Sequence, residues 1–169
     1  MIIRATKKVL NLSKKTSAKN DQDKSDSFPG EWYVDLVSLG RPGKFGLQFL
    51  HSPTYISVIV PGRSLDKVTG KFKMRVENFL MRHGYDKLIS EYSLDTDLEI
   101  YSTNSRSLQA HMNQIKQDTE YHCAEAESIE KINYSWIEDI FLDYPFTAKK
   151  MGSGYYSSKE ILDQFMNEI

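Results

Sequence analysis

"EWYVDLVSLGRPGKFGLQFLHSPTYISVIV", Glu31 to Val60, is the stretch that decides the fold. In its first third Trp32, Val34 and Leu36 alternate with Tyr33, Asp35 and Val37, the period of two that a pleated strand imposes on its side chains. "RPGK" (Arg41 to Lys44) reads as a turn, "FGLQFL" as a second strand, His51-Ser52-Pro53 as a break and "YISVIV" as a third strand. Turns this short pair neighbouring strands antiparallel, so a meander is expected. The near-continuous apolar run of "YISVIV" predicts a strand covered on both faces, at the centre of the sheet.

Outward from the meander, Ile2 and Ile3 open a short strand, and "KKVLNL" suits one or two helical turns with Val9, Leu10 and Leu12 inward. "LEIYS", ending at Ser102, is a further strand. Helical spacing follows Pro61-Gly62: Leu65, Val68, Phe72, Val76, Phe79 and Leu80 recur at three and four, between a Ser64 cap and Gly84. Gly70 weakens that helix by about 1 kcal/mol relative to Ala. "YDKLISEY" suits a short helix. Leu108, Met112, Ile115, Thr119 and Cys123 line a second long helix, and Ile129, Ile132, Trp136 and Ile140 another. Ser157 with Glu160 forms a capping box before Ile161, Leu162 and Phe165. Met112, Ile115, Trp136 and Phe79 are expected in the core. Strands first and helices later predict an α+β fold: an antiparallel sheet of about four to five strands, with a largely helical C-terminal half packed on one face.

The 169 residues suit a single domain, 1–169. "SKKTSAKNDQDKSDSFPG" has almost nothing apolar to bury, so a mobile polar segment is expected at about 13–29. The net charge of −1 gives no global pull toward nucleic acid or acidic membranes. One cysteine, Cys123, leaves no intramolecular disulfide and no multi-cysteine zinc site. No apolar run reaches the roughly 20 residues of a membrane span, and the N-terminus lacks a secretory apolar core. A cytoplasmic protein is expected. Charge is nonetheless polarised. Arg4, Lys7, Lys8, Lys14, Lys15 and Lys19 precede the first acid, Asp21, whereas Asp118 to Asp143 is strongly acidic.

The chemistry-bearing candidate is the turn between "LEIYS" and the helix at Leu108. Asn104 or Ser105 supplies a cap, and Arg106 and Ser107 occupy the first turn, where the helix dipole favours an anion rather than an arginine. An external anion would satisfy both. If the first strand lies beside "LEIYS", Arg4, Lys7 and Lys8 join Asn104, Arg106, Ser107 and, further along the helix, Asn113. Other readings fail on spacing. His111 and His122 stand about 16 Å apart along one helix, too far to share a metal. Gly62 and Gly70 do not make a nucleotide loop, since Phe72 follows Lys71. Cys123 points inward, and Asp95 and Asp97 suit turn chemistry. Trp32 packs in the core.

"MIIRATKKVL", "GEWYVDLV" and "TNSRSLQAHMNQ" (Thr103 to Gln114) together resemble a family of bacterial proteins classed as a domain of unknown function. The resemblance spans most of the chain and implies a small α+β domain of bacterial origin. It carries no activity, cofactor or catalytic residue. The reading is therefore a binding or regulatory module for an anionic partner: nucleic acid, a nucleotide or an acidic protein segment. It has no catalytic or metal residues and needs no cofactor. The alternatives are an enzyme acting on a phosphorylated small molecule and a protein–protein interaction domain.

Overall fold

The computed structural model describes residues 1–13, 27–147 and 153–169. Seven strands and five α-helices are described: β1 (Ile2–Ala5), α1 (Lys7–Leu12), β2 (Glu31–Ser38), β3 (Phe45–Ser52), β4 (Ser57–Pro61), α2 (Leu65–Arg82), β5 (Glu99–Ser102), α3 (Arg106–Glu125), α4 (Tyr134–Leu142), β6 (Pro145–Phe146), β7 (Tyr156–Ser157) and α5 (Ser158–Glu168). Two 3-10 segments, Asp86–Tyr92 and Ile129–Lys131, precede β5 and α4. The fold is α+β. Its five-stranded sheet has the order β4-β3-β2-β1-β5.

The meander forms as the turns dictate: β2 pairs antiparallel with β3, and β3 with β4. β1 departs from that pattern. It lies between β2 and β5 and runs parallel to both, which makes the sheet mixed. Alternation then sorts the side chains. Ile3, Trp32, Val34, Leu47, Phe49, Val58 and Val60 join one core with Val9, α2 and α5. Tyr33, Val37, Leu50 and Ile59 join a second core with α3 and α4. Helices therefore cover both faces rather than one. Strands this apolar present two faces to bury, and each needs its own layer.

β4 is an edge strand, not a central one. Its continuous apolar run reports burial on both faces, by α2 on one side and α4 on the other. The exposed backbone edge that remains is answered by a carboxylate: the Ile59 N–H donates to Glu138 of α4 at 2.9 Å. Glu138 is buried and is held in turn by Arg75 at 2.6 Å. The carboxylate takes up one of the outward N–H groups by which an edge strand would template another.

The α2 assignment holds, with Gly84 in the left-handed region (φ 78°) directly after the helix C-cap. All five apolar positions of α3 are buried, as is Phe79. Trp136 is the exception, at 52% exposure. Ile129 belongs to a separate 3-10 turn, so it shares no helix with Trp136. Helix α4 takes its phase from the Asn133 cap, which accepts from the Trp136 N–H, and this turns Ile137, Glu138, Phe141 and Leu142 inward. The capping box at Ser157 and Glu160 forms. Leu12 is 40% exposed, so only Val9 of α1 is fully buried. Most of the polar segment expected to be mobile lies outside the described residues. Its ends are held: the Ser13 hydroxyl accepts from the Leu65 N–H, and the Phe28 ring packs against Tyr92 and Phe165.

Candidate functional site

The parallel pairing of β1 with β5 brings their carboxyl ends together, with Ala5 opposite Ser102 and the Thr103 N–H donating to the Ala5 carbonyl. The chain leaves the two strands in opposite directions. After β1 it enters α1, whose Val9 sits in the core on the α2 side. After β5 it enters α3, on the other face. Adjacent parallel strands whose connections diverge to opposite faces leave a crevice at their carboxyl ends, the usual ligand position in sheets with parallel strands.

Lys7 and Lys8 open α1 at this end and are exposed. Arg106 and Ser107 open α3 and are exposed too, and among the described residues Arg106 makes no ion pair. Ser105, not Asn104, caps α3: its hydroxyl accepts from the Leu108 N–H at 3.3 Å and lies 3.2 Å from the Ser107 hydroxyl. Asn104 is exposed, and its side-chain oxygen accepts from the Tyr33 hydroxyl at 2.7 Å. Asn113 lies seven residues after Arg106, two turns along the same helical stripe, and is exposed.

Arg4 is brought to the same strand pair but is not offered to a ligand. It is 1% exposed, and its Nε and Nη2 donate to Glu31 at 2.6 and 2.8 Å. Its guanidinium also lies over the Tyr101 ring. A buried bidentate pair satisfies the arginine internally. The positive character of this sheet end therefore comes from the two helix starts.

Two residues of this sheet end escaped the sequence reading. Asp35, buried in β2, accepts from the Thr6 hydroxyl at 2.7 Å and from Lys116 of α3 at 2.9 Å. Together they tie the β1–α1 junction to α3 across β2. The signal in the sequence was an aspartate inside an otherwise apolar strand, which needs a partner wherever it is buried.

The remaining reactive groups are occupied by packing. Burial pushes the Cys123 thiol up to about 11, which leaves it protonated at neutral pH. Burial lowers the pKa of His111, whose ring lies edge-on to Tyr55 and Phe146. His51 is fully buried. Asp118, four residues before His122 on α3, accepts from the Tyr144 hydroxyl at 2.6 Å. Among the described residues, no group of three or more His, Cys, Asp or Glu is disposed to hold a metal ion. Nor is any described helix long and apolar enough to cross a membrane.

The fold and this sheet end define a mixed-sheet α+β domain with basic helix starts flanking the carboxyl ends of two parallel strands. Residues 2–160 match the family described as Domain of unknown function (DUF6933), and the chain belongs to that family. No curated protein matches the chain.

Proposed function

We propose that the protein is a binding or regulatory module for an anionic partner, which it engages at the carboxyl ends of β1 and β5. The observation that carries this reading is the divergence of α1 and α3 from adjacent parallel strands. It collects Lys7, Lys8 and Arg106 at one sheet end. Arg106 has no carboxylate to pair with among the described residues, and it sits where the helix dipole already favours negative charge. Ser107 adds a neutral donor beside it and Asn113 another two turns along α3, while Asn104, next to the cap, is held by the Tyr33 hydroxyl. The partner is a nucleic-acid backbone, a nucleotide or an acidic protein segment, all of which present the same anionic oxygens. Binding is favoured over catalysis because Cys123, the strongest nucleophile in the chain, is buried and protonated. The reading extends to a bacterial, cytoplasmic protein, in keeping with its single buried cysteine.

The test is a set of titrations by fluorescence anisotropy with single-stranded RNA, ATP and an oligoglutamate peptide, each labelled, at several salt concentrations. Arg106→Ala should weaken the ligand that binds while leaving the melting temperature unchanged. For RNA the salt dependence should flatten by about one phosphate contact. If none of the three binds, or if Arg106→Ala destabilises the fold and leaves binding intact, the reading fails.

A further inference from the structure

We infer that the exposed faces of α3 and α4 form a second interaction surface, built to receive a basic protein segment that carries an apolar anchor. Its centre is aromatic. Trp136 is 52% exposed and Tyr121 61% exposed, although both stand on helices whose other faces are fully buried. The His122 ring lies between them, edge-on to Trp136 at 5.0 Å and to Tyr121 at 5.4 Å. Indole and phenol rings set together in solvent supply large contact area at low entropic cost, the composition of interaction hot spots.

Charge selects the occupant. On α3, Asp118 lies four residues before His122 and Glu125 three residues after it, so both share its stripe. Directly after α4, its C-cap residue Asp143 is exposed, seven residues after Trp136. Glu127 and Glu130 stand in the connection between the helices. Among the described cations nearby, Lys44 lies within electrostatic reach of Glu130, while Lys131 and Arg41 are each engaged. Lys131 pairs with Glu127. Arg41 donates to the carbonyls of Ala124, Ala126 and Glu127 at the end of α3. Asp139 is turned away toward Arg82 and His83 of the α2 end. An aromatic centre with a carboxylate rim is complementary to lysines or arginines flanking a bulky apolar residue. This surface lies on the acidic helices, away from the anion site proposed above, and does not depend on it.

The probe is a synthetic 12-residue amphipathic peptide of lysine and leucine, with a glutamate-for-lysine peptide as its control. Trp136 is the exposed tryptophan and Trp32 the buried one, so a blue shift of the intrinsic fluorescence reports the surface directly. The lysine peptide should bind and the glutamate peptide should not. Trp136→Ala should weaken binding about 30-fold, the effect of losing a hot-spot side chain, with an unchanged melting temperature. The double variant Glu125→Lys, Asp143→Lys should weaken it further at low salt than at high salt. The inference is overturned if the lysine peptide fails to bind, if both peptides bind alike, or if Trp136→Ala binds as the wild type does. A dimer in analytical ultracentrifugation that Trp136→Ala dissolves would also overturn it, since the occupant would then be a second copy of this chain.

Discussion

Lowering the pH from 7 to 5 should destabilise the protein through His51 alone by about 2 kcal/mol. His51 is 0% exposed, with Trp32 and Tyr92 packed against its ring. Its hydrogen bonds define one neutral tautomer. The Pro29 carbonyl can only accept, so Nε2 carries the proton and donates to it at 3.0 Å. Nδ1 then accepts from the Thr54 hydroxyl at 2.7 Å, and Thr54 accepts from the Tyr92 hydroxyl at 3.0 Å. No carboxylate is among these partners, so an imidazolium here is a buried, unpaired charge. Burial lowers the His51 pKa to about 3, although the bond to Pro29 pulls it upward. In the unfolded chain the ring titrates near its ordinary value of about 6.5. Between those values the unfolded state binds a proton that the folded state refuses. The stability is thus intact above pH 6.5 and is lost progressively as the pH falls toward 3. At pH 5 the unfolded chain is about 1.5 pH units below its titration point, and at 1.36 kcal/mol per unit this gives the stated loss. Urea unfolding of the wild type and His51→Gln at both pH values isolates the contribution, because every other titrating group is common to the two. The wild type should lose about 2 kcal/mol more than the variant. Parallel losses, or an NMR titration of His51 with a midpoint near 6.5, would refute the reasoning.

Met112→Ala should cost roughly 2–5 kcal/mol in chemical denaturation, since Met112 is buried beneath α3, and a loss under about 0.5 kcal/mol would mean that its side chain is not in the core. Trp136→Ala should change stability by less than about 0.5 kcal/mol, and a loss above about 2 kcal/mol would contradict its exposure. Glu138→Ala should cost on the order of 3 kcal/mol, because it strands both the Ile59 N–H and Arg75; a neutral result would show that the β4 edge needs no such acceptor. Gly40→Ala should destabilise by more than about 1 kcal/mol, since Gly40 has φ 72° and a Cβ there would stand 2.5 Å from Ala124. A wild-type melting temperature for that variant would rule out the close approach of this turn to the end of α3.

Periodicity made the meander, α2 and α3 legible in the sequence, because each is long and has a regular apolar repeat. Two features were hidden for physical reasons. A parallel partner leaves no local turn signal, so the position of β1 between β2 and β5 depended on long-range pairing. The apolar run of β4 reads alike for a central strand and for an edge strand covered by two helices. The phase of α4 was misread because Ile129 and Ile132 sit before the Asn133 cap, so their spacing belonged to another turn. At the sheet end, the helix starts at Lys7 and Arg106 were readable from caps and strand ends. The withdrawal of Arg4 was not, since Glu31 is 27 residues away in sequence. Asp35 and Lys116 were overlooked for the same reason.

The central claim is that an anion binds where β1 and β5 end. Amide NMR titration of the full chain with inorganic triphosphate addresses it most directly. Shifts should concentrate at Thr6 to Lys8 and at Thr103 to Ser107, and they should disappear in the Lys7→Ala, Arg106→Ala double variant while the rest of the spectrum is unchanged. Shifts scattered over the other lysines, or identical shifts in the double variant, would contradict the account.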